Sequence, residues 1–205
     1  MSYGLPQDIK KWLEPENMIM LYASGAFPMA DENSIINWYQ PKVRTVIPLN
    51  NFNIPRSLKT FISGTDFVYK ANINTMAIIN ACAQRNETWI SKELISAYSK
   101  LLEFGFVKSI GVYQNSILTG GLYGISYKGA FFGESMFSKV PQASKCALAV
   151  LIKHLVKNNF SLLDVQFQTE HLKMFGAVEI SWKKYQLLLD KAYKDDVVFS
   201  DEIKI

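Results

Sequence analysis

The chain has 205 residues, 49% of them hydrophobic and 20% charged, a balance that buries a real core and argues against disorder. The net charge of +4 permits an anionic partner without demanding one. Cys82 and Cys146 fit neither a metal spacing nor a disulfide framework, and each falls in an apolar helical pattern, so both are expected to be buried thiols. The N-terminus shows no apolar signal region and no run nears the ~20 apolar residues of a membrane span, so the chain reads as cytoplasmic with no membrane partner.

Taken in order, Pro15 followed by residues 16–24 and then Gly25 predicts a short helix. Residues 26–42 read as irregular, with two prolines and an acidic tip, and residues 43–49 as a strand. A helix is expected from Pro55 to Gly64, a strand over 66–71, and a helix from Asn74 as cap to Arg85. Ser91 caps the next helix, whose apolar face carries Leu94, Ile95, Tyr98, Leu101 and Leu102, and Gly105 closes it. The runs 106–113, 116–126 and 129–137, joined by short polar turns, predict an antiparallel meander. A helix over 144–158, a strand over 162–167, a short helix over 170–175, a strand over 176–180 and a helix capped by Ser181 through Ala192 complete the chain. This order gives an α/β fold with a mixed sheet and helices on its faces, an arrangement that suits a GNAT-like acyltransferase core.

No P-loop, dinucleotide fingerprint, zinc spacing or G-x-S-x-G nucleophile signature is present, so hydrolase, nucleotidase and metalloenzyme readings lose ground. His154 and His171 read as surface or capping residues. Gly133–Ser138 places a carboxylate and a hydroxyl at the end of an apolar strand, and Asp164 and Gln166 share one face of another strand. They form either a solvated strand face or a buried, hydrogen-bonded acid–base or orienting pair. Trp38, Tyr39, Trp89 and Tyr98 either stack on a nucleic-acid base or pack between an N-terminal unit and the main domain. Lys42, Arg44, Arg56, Lys59 and Arg85 lie around them as candidate phosphate contacts.

The strings GGLYG (120–124), FGESMFS (132–138), ASK (143–145), LDVQ (163–166) and HLKMFGAVEI (171–180) appear in one order and at one spacing. Together they resemble the leucyl/phenylalanyl-tRNA–protein transferases. LYASGAFP (21–28), WYQPKVR (38–44), TWI (88–90), AYSKL (97–101) and SIGV (109–112) extend the match through most of the chain. The resemblance implies a small N-terminal domain, residues 1–42, on a GNAT-like catalytic domain, residues 43–205. It implies transfer of Leu, Phe or Met from the 3′ end of aminoacyl-tRNA to proteins beginning with Arg or Lys, which marks them for degradation. The ester is already activated, so neither metal nor other cofactor is implied; positioning, proton removal and oxyanion stabilisation suffice.

By position, Asp164 and Gln166 match the family's catalytic pair, Gln166 engaging the attacking α-amine and Asp164 orienting or polarising it. Leu122, Phe131, Gly133, Glu134, Ser135 and Met136 match the pocket for the transferred side chain. Trp89, Tyr98, Trp38, Arg56 and Lys59 match positions toward the tRNA. From charge alone, Glu134 and Asp164 also offer a negative field to a cationic N-terminal residue. The chain departs from the family where a Gly-rich segment is replaced by residues 3–17, where Met29 stands for an aromatic, and where Trp38-Tyr39 stands for a tryptophan pair. These departures gather in the N-terminal part and bear on tRNA-end binding and acceptor preference. Two alternatives remain from sequence: a transferase with a different acceptor residue, and a non-catalytic tRNA-end binding relative.

Overall fold

A computed structural model describes residues 2–3, 9–85 and 88–203. The N-terminal part consists of β1 (Ser2–Tyr3), α1 (Ile9–Trp12), α2 (Pro15–Ala23), β2 (Phe27–Ala30) and β3 (Ile36–Tyr39). Then follow β4 (Val43–Ile47), α3 (Arg56–Gly64), β5 (Val68–Ala71), α4 (Thr75–Ala83), α5 (Lys92–Glu103), β6 (Val107–Gln114), β7 (Ile117–Tyr127) and β8 (Ala130–Ser138). The chain continues with α6 (Ala143–Lys157), β9 (Leu162–Gln166), α7 (Glu170–Lys173), β10 (Val178–Ser181) and α8 (Trp182–Ala192). The strands form a small sheet ordered β1-β3-β2 and a seven-stranded mixed sheet ordered β10-β4-β9-β8-β7-β6-β5. In the large sheet β8 and β9 pair in parallel, and every other neighbour is antiparallel.

The expected meander and the helices α2, α3, α5, α6 and α8 are present within a residue or two. Gly25 ends the α2 turn at φ +84°, a conformation glycine adopts freely. Ser91 and Ser181 cap α5 and α8, their hydroxyls accepting from the N–H groups of Leu94 and Lys184. Asn74 precedes α4 as expected but caps nothing with its side chain: its φ is +56°, and its amide donates to the Tyr113 hydroxyl.

Residues 26–42 are not irregular; they contain the β2–β3 hairpin. Its proline hides it, because Pro28 sits on β2, the edge of the small sheet, where a missing N–H breaks no ladder. The acidic tip makes the turn, Asp31 Oδ1 accepting from the N–H groups of Asn33 and Ile35, each at 2.9 Å. Of residues 3–17, which replace the Gly-rich segment of the resembled family, positions 4–8 lie outside the described residues.

Successive residues along each strand feed two different cores: Val46, Tyr123, Phe132 and Leu162 one, Ile47, Leu122, Phe131 and Leu163 the other. The first core takes α2, α4, α5 and α8, and with them Met18, Tyr22, Phe27 and Trp38 of the N-terminal part. The second takes α3, α6 and α7. Helix α6 is pressed closely onto the sheet: a Cβ on Gly120 would stand 2.5 Å from the Ala143 Cβ, which accounts for a glycine there. Both cysteines are buried free thiols.

His154 is not a surface residue. It is 3% exposed, because the segment after α8 folds back over α6 and lays Phe199 against the imidazole, ring centroids 4.5 Å apart. Burial lowers its pKa. His171 is half-buried beside Phe175.

Candidate active site

Strands β8 and β9 are paired only from Ala130–Leu162 to Phe132–Asp164. Beyond that point they part, and no strand among the described residues pairs with positions 133–138 on the β9 side. Each strand carries an irregularity at the fork. In β8, Tyr123 faces Ser135 while Gly124 faces Gly133, so Glu134 is an extra, unpaired residue. In β9, Thr45 faces Gln166 while Val46 faces Asp164, so Val165 is the extra one. Such bulges re-aim side chains and are common beside active sites.

Asp164 and Gln166 are buried, at 0% and 7% exposure, which excludes the solvated-face reading. Asp164 accepts from Arg44 Nε at 2.9 and 3.0 Å and Nη2 at 2.6 Å, and from the Tyr185 hydroxyl at 2.6 Å. Its Oδ1 also accepts the Gln166 N–H at 2.8 Å. That bond holds Gln166 at φ +64°, a left-handed conformation that costs a non-glycine residue about 1–2 kcal/mol. The Phe167 N–H donates to Val165 O at 2.8 Å and tightens the same turn. Gln166 Nε2 then reaches across the fork to Glu134 Oε1 at 3.0 Å. Glu134 Oε2 accepts from the Tyr98 hydroxyl at 2.8 Å, and Tyr98 meets the Tyr22 hydroxyl at 3.2 Å.

The buried charges behave differently. Burial, the largest single influence, would lower the Arg44 pKa, but Asp164, Tyr185 and Glu134 together outweigh it and hold it above its ordinary value. Burial pushes the Glu134 carboxyl up to about 7, and hydrogen bonds from Tyr98 and Tyr22 keep it from rising further. Tyr22, Tyr98 and Tyr185 are likewise raised, burial first and the neighbouring carboxylates second, so all three remain hydroxyl donors. Asp164 is neutralised by Arg44, so of the two carboxylates expected to offer a negative field only Glu134 lies outside that ion pair, and it is about half ionised near pH 7.

On the opposite face of the fork lies an apolar cavity of about 90 Å³. Leu122, Gly133, Glu134, Ser135 and Met136 line it with Leu148 and Leu151 of α6. Phe131 does not line it; its ring is buried in the adjoining core and stacks on Phe199 at 5.7 Å. Trp38 is 2% exposed and packs edge-on against Tyr22 at 5.8 Å, the packing alternative. Tyr98 is fully buried, whereas Trp89 is half-buried, its carbonyl accepting from the Ala30 N–H of the N-terminal hairpin at 3.1 Å. Arg56 and Lys59 are exposed on α3, on the α6 side of the sheet, and do not join the network.

Arg44 is a correction. Its place among candidate phosphate contacts is excluded by 0% exposure and by its bidentate pairing with Asp164. The signal was legible: a charge in a strand of Val43, Thr45, Val46 and Ile47 needs a partner as much as Asp164 does. Tyr22 and Tyr185 were missed because nothing in a helical apolar stripe marks a tyrosine whose hydroxyl has work to do.

Residues 46–190 match the leucyl/phenylalanyl-tRNA protein transferase family, and residues 13–42 match its N-terminal domain. A leucyl/phenylalanyl-tRNA–protein transferase of Salinibacter ruber is 41% identical over 88% of this chain and 80% of its own length. That of Phenylobacterium zucineum is 43% identical over 87% and 84%. That of Chlorobaculum parvum is 42% identical over 91% and 99%. Likeness to solved structures is slighter: the structure of L-PGS from Bacillus licheniformis aligns at TM-score 0.42 and 10% identity over 77% of this chain and 54% of that one. Matches of this extent settle the assignment: the chain belongs to the leucyl/phenylalanyl-tRNA–protein transferase family of aminoacyltransferases.

Proposed function

We propose that the fork between β8 and β9 is where an aminoacyl group passes from the 3′ end of a tRNA to the α-amine of a protein beginning with Arg or Lys. The observation that carries this reading is the juxtaposition at one point of a buried Gln166–Glu134–Asp164 network and an apolar cavity. The parted strands between an acyl-sized cavity and a polar network also favour the GNAT-like description of residues 43–205, with 1–42 as its small N-terminal domain.

In this reading the transferred Leu, Phe or Met side chain enters the cavity. At about 90 Å³ it is smaller than the ~150 Å³ apolar cavity that holds a benzene, so a phenyl ring displaces a wall. Met136, half-exposed and flexible, is the wall that yields. Gln166 has its Nε2 committed to Glu134, and its Oε1 accepts from none of the described residues, so Oε1 is the atom that receives an N–H of the attacking amine. Glu134 supplies the negative charge that favours a basic first residue. Attack of the amine on the ester carbonyl forms the new amide bond; the C–O bond to the ribose breaks, and the ribose oxygen leaves with a proton lost by the amine. Trp89, Arg56 and Lys59 are the accessible members of the tRNA-facing set, and Trp38 and Tyr98 support the site from beneath. No helix among the described residues is long and apolar enough to cross a membrane, and a tRNA substrate favours a cytoplasmic reaction.

The test is to incubate the protein with Leu-tRNA or Phe-tRNA and a peptide beginning with Arg. Transfer to the peptide is expected; intact tRNA binding without transfer contradicts the reading and favours a non-catalytic relative. A panel varying only the first residue separates basic from acidic acceptor preference.

A further inference from the structure

We infer that Arg44 and Tyr185 are positioning residues for the transfer, acting through Asp164 to fix the left-handed turn that aims Gln166 across the fork. The inference rests on the proposed function and goes one step behind it. Asp164 is entirely buried, and its two oxygens receive Arg44 Nε and Nη2, the Tyr185 hydroxyl and the Gln166 N–H. A carboxylate offers about four lone-pair directions. These donors occupy them, so Asp164 has none left for a substrate and is not the acceptor of the amine's proton. Its remaining action on the reaction is mechanical, through the bond to the Gln166 N–H.

The clamp on Asp164 is itself held from outside. Arg44 lies between two rings, its guanidinium carbon 4.5 Å from the Phe27 centroid and 4.9 Å from that of Tyr185. Phe27 also packs edge-on against Phe167, the residue after Gln166, at 5.5 Å. One aromatic ring of the N-terminal hairpin thus touches both the cation that pins Asp164 and the far side of the Gln166 turn. The N-terminal part contributes to the geometry of the reaction centre as well as to any grip on the tRNA end.

Tyr185→Phe removes one hydroxyl while keeping the ring over Arg44. Steady-state transfer from Leu-tRNA to an Arg-starting peptide is measured in wild type, Tyr185→Phe, Gln166→Ala and the double variant, alongside thermal unfolding of each. The expected result is a roughly tenfold fall in kcat for Tyr185→Phe with both KM values within about twofold, and disappearance of that fall in the Gln166→Ala background. The shift in unfolding temperature persists in both backgrounds. Phe27→Leu behaves the same way with a smaller loss, and carries the test if Tyr185→Phe does not fold. An unchanged kcat, or the same tenfold loss with Gln166 already removed, overturns the inference. Absence of transfer by the wild-type protein is instead a failure of the proposed function.

Discussion

At the fork of β8 and β9 the two faces of the large sheet are made of opposite materials. One face holds a cavity walled by Leu122, Leu148, Leu151, Leu163 and Leu172, with Glu134 the one ionisable carboxyl or cation lining it among the described residues. The other holds a chain of hydrogen bonds from Arg44 through Asp164, Gln166 and Glu134 to Tyr98 and Tyr22, set among aromatic rings. The apolar face tolerates change gradually, since each methylene is worth ~1 kcal/mol and a flexible wall can move. The polar face does not: each member is buried, and removing one strands its partner. The difference predicts where a substitution alters specificity and where it costs turnover or stability.

The largest effect is expected at Asp164. Sequence alone suggests that Asp164→Ala lowers turnover with little loss of folding. The structure revises this, because the variant leaves Arg44 buried and uncompensated, at a cost of about 3–5 kcal/mol. Denaturant unfolding should show that loss together with lost transfer; Gln166→Ala, whose side chain bonds only Glu134 among the described residues, should slow transfer without abolishing it and keep most stability.

Next comes the pH dependence carried by Glu134. Its folded pKa of about 7 lies above the ordinary 4.5, so the folded state keeps a proton that the unfolded state has released between those values. This group's contribution is therefore fully favourable below about 4.5 and is lost as pH rises through about 7, up to about 3 kcal/mol at ~1.4 per unit. Glu134→Gln should flatten the fall in stability between pH 5 and pH 8, measured by denaturant midpoints. A wild-type protein whose stability rises across that window by this amount relative to the variant contradicts the placement of Glu134.

On the apolar face, Met136→Ala should enlarge the cavity and raise the Phe-over-Leu preference about tenfold, with less than about 2 kcal/mol lost from a half-exposed site. The smallest effects belong to the exposed cations. Arg56→Ala and Lys59→Ala should each raise the KM for aminoacyl-tRNA a few-fold, lower its salt dependence by about one unit of slope, and leave kcat unchanged.

The polar strand was legible in the sequence because Asp164 and Gln166 share a face in a run that mixed-sheet topology buries. The meander and the serine-capped helices were legible for similarly local reasons. What was not legible depended on contacts far along the chain. Asp164 lies 120 residues from Arg44, and Tyr22 lies 76 from Tyr98. His154 is covered by a segment that follows the last helix, which no periodicity in α6 announces. The hairpin at 27–39 was hidden by its proline, whose meaning reverses once β2 is known to be an edge.

The division of labour between the two faces is tested most directly by the ratio of Phe to Leu transfer, measured on an Arg-starting peptide in Met136→Ala and in Gln166→Ala. The account predicts that Met136→Ala changes the ratio about tenfold with little change in peptide KM, and that Gln166→Ala slows both donors alike and leaves the ratio at its wild-type value. A Gln166→Ala protein that shifts the ratio as much as Met136→Ala, or a Met136→Ala protein that slows both donors equally, contradicts it.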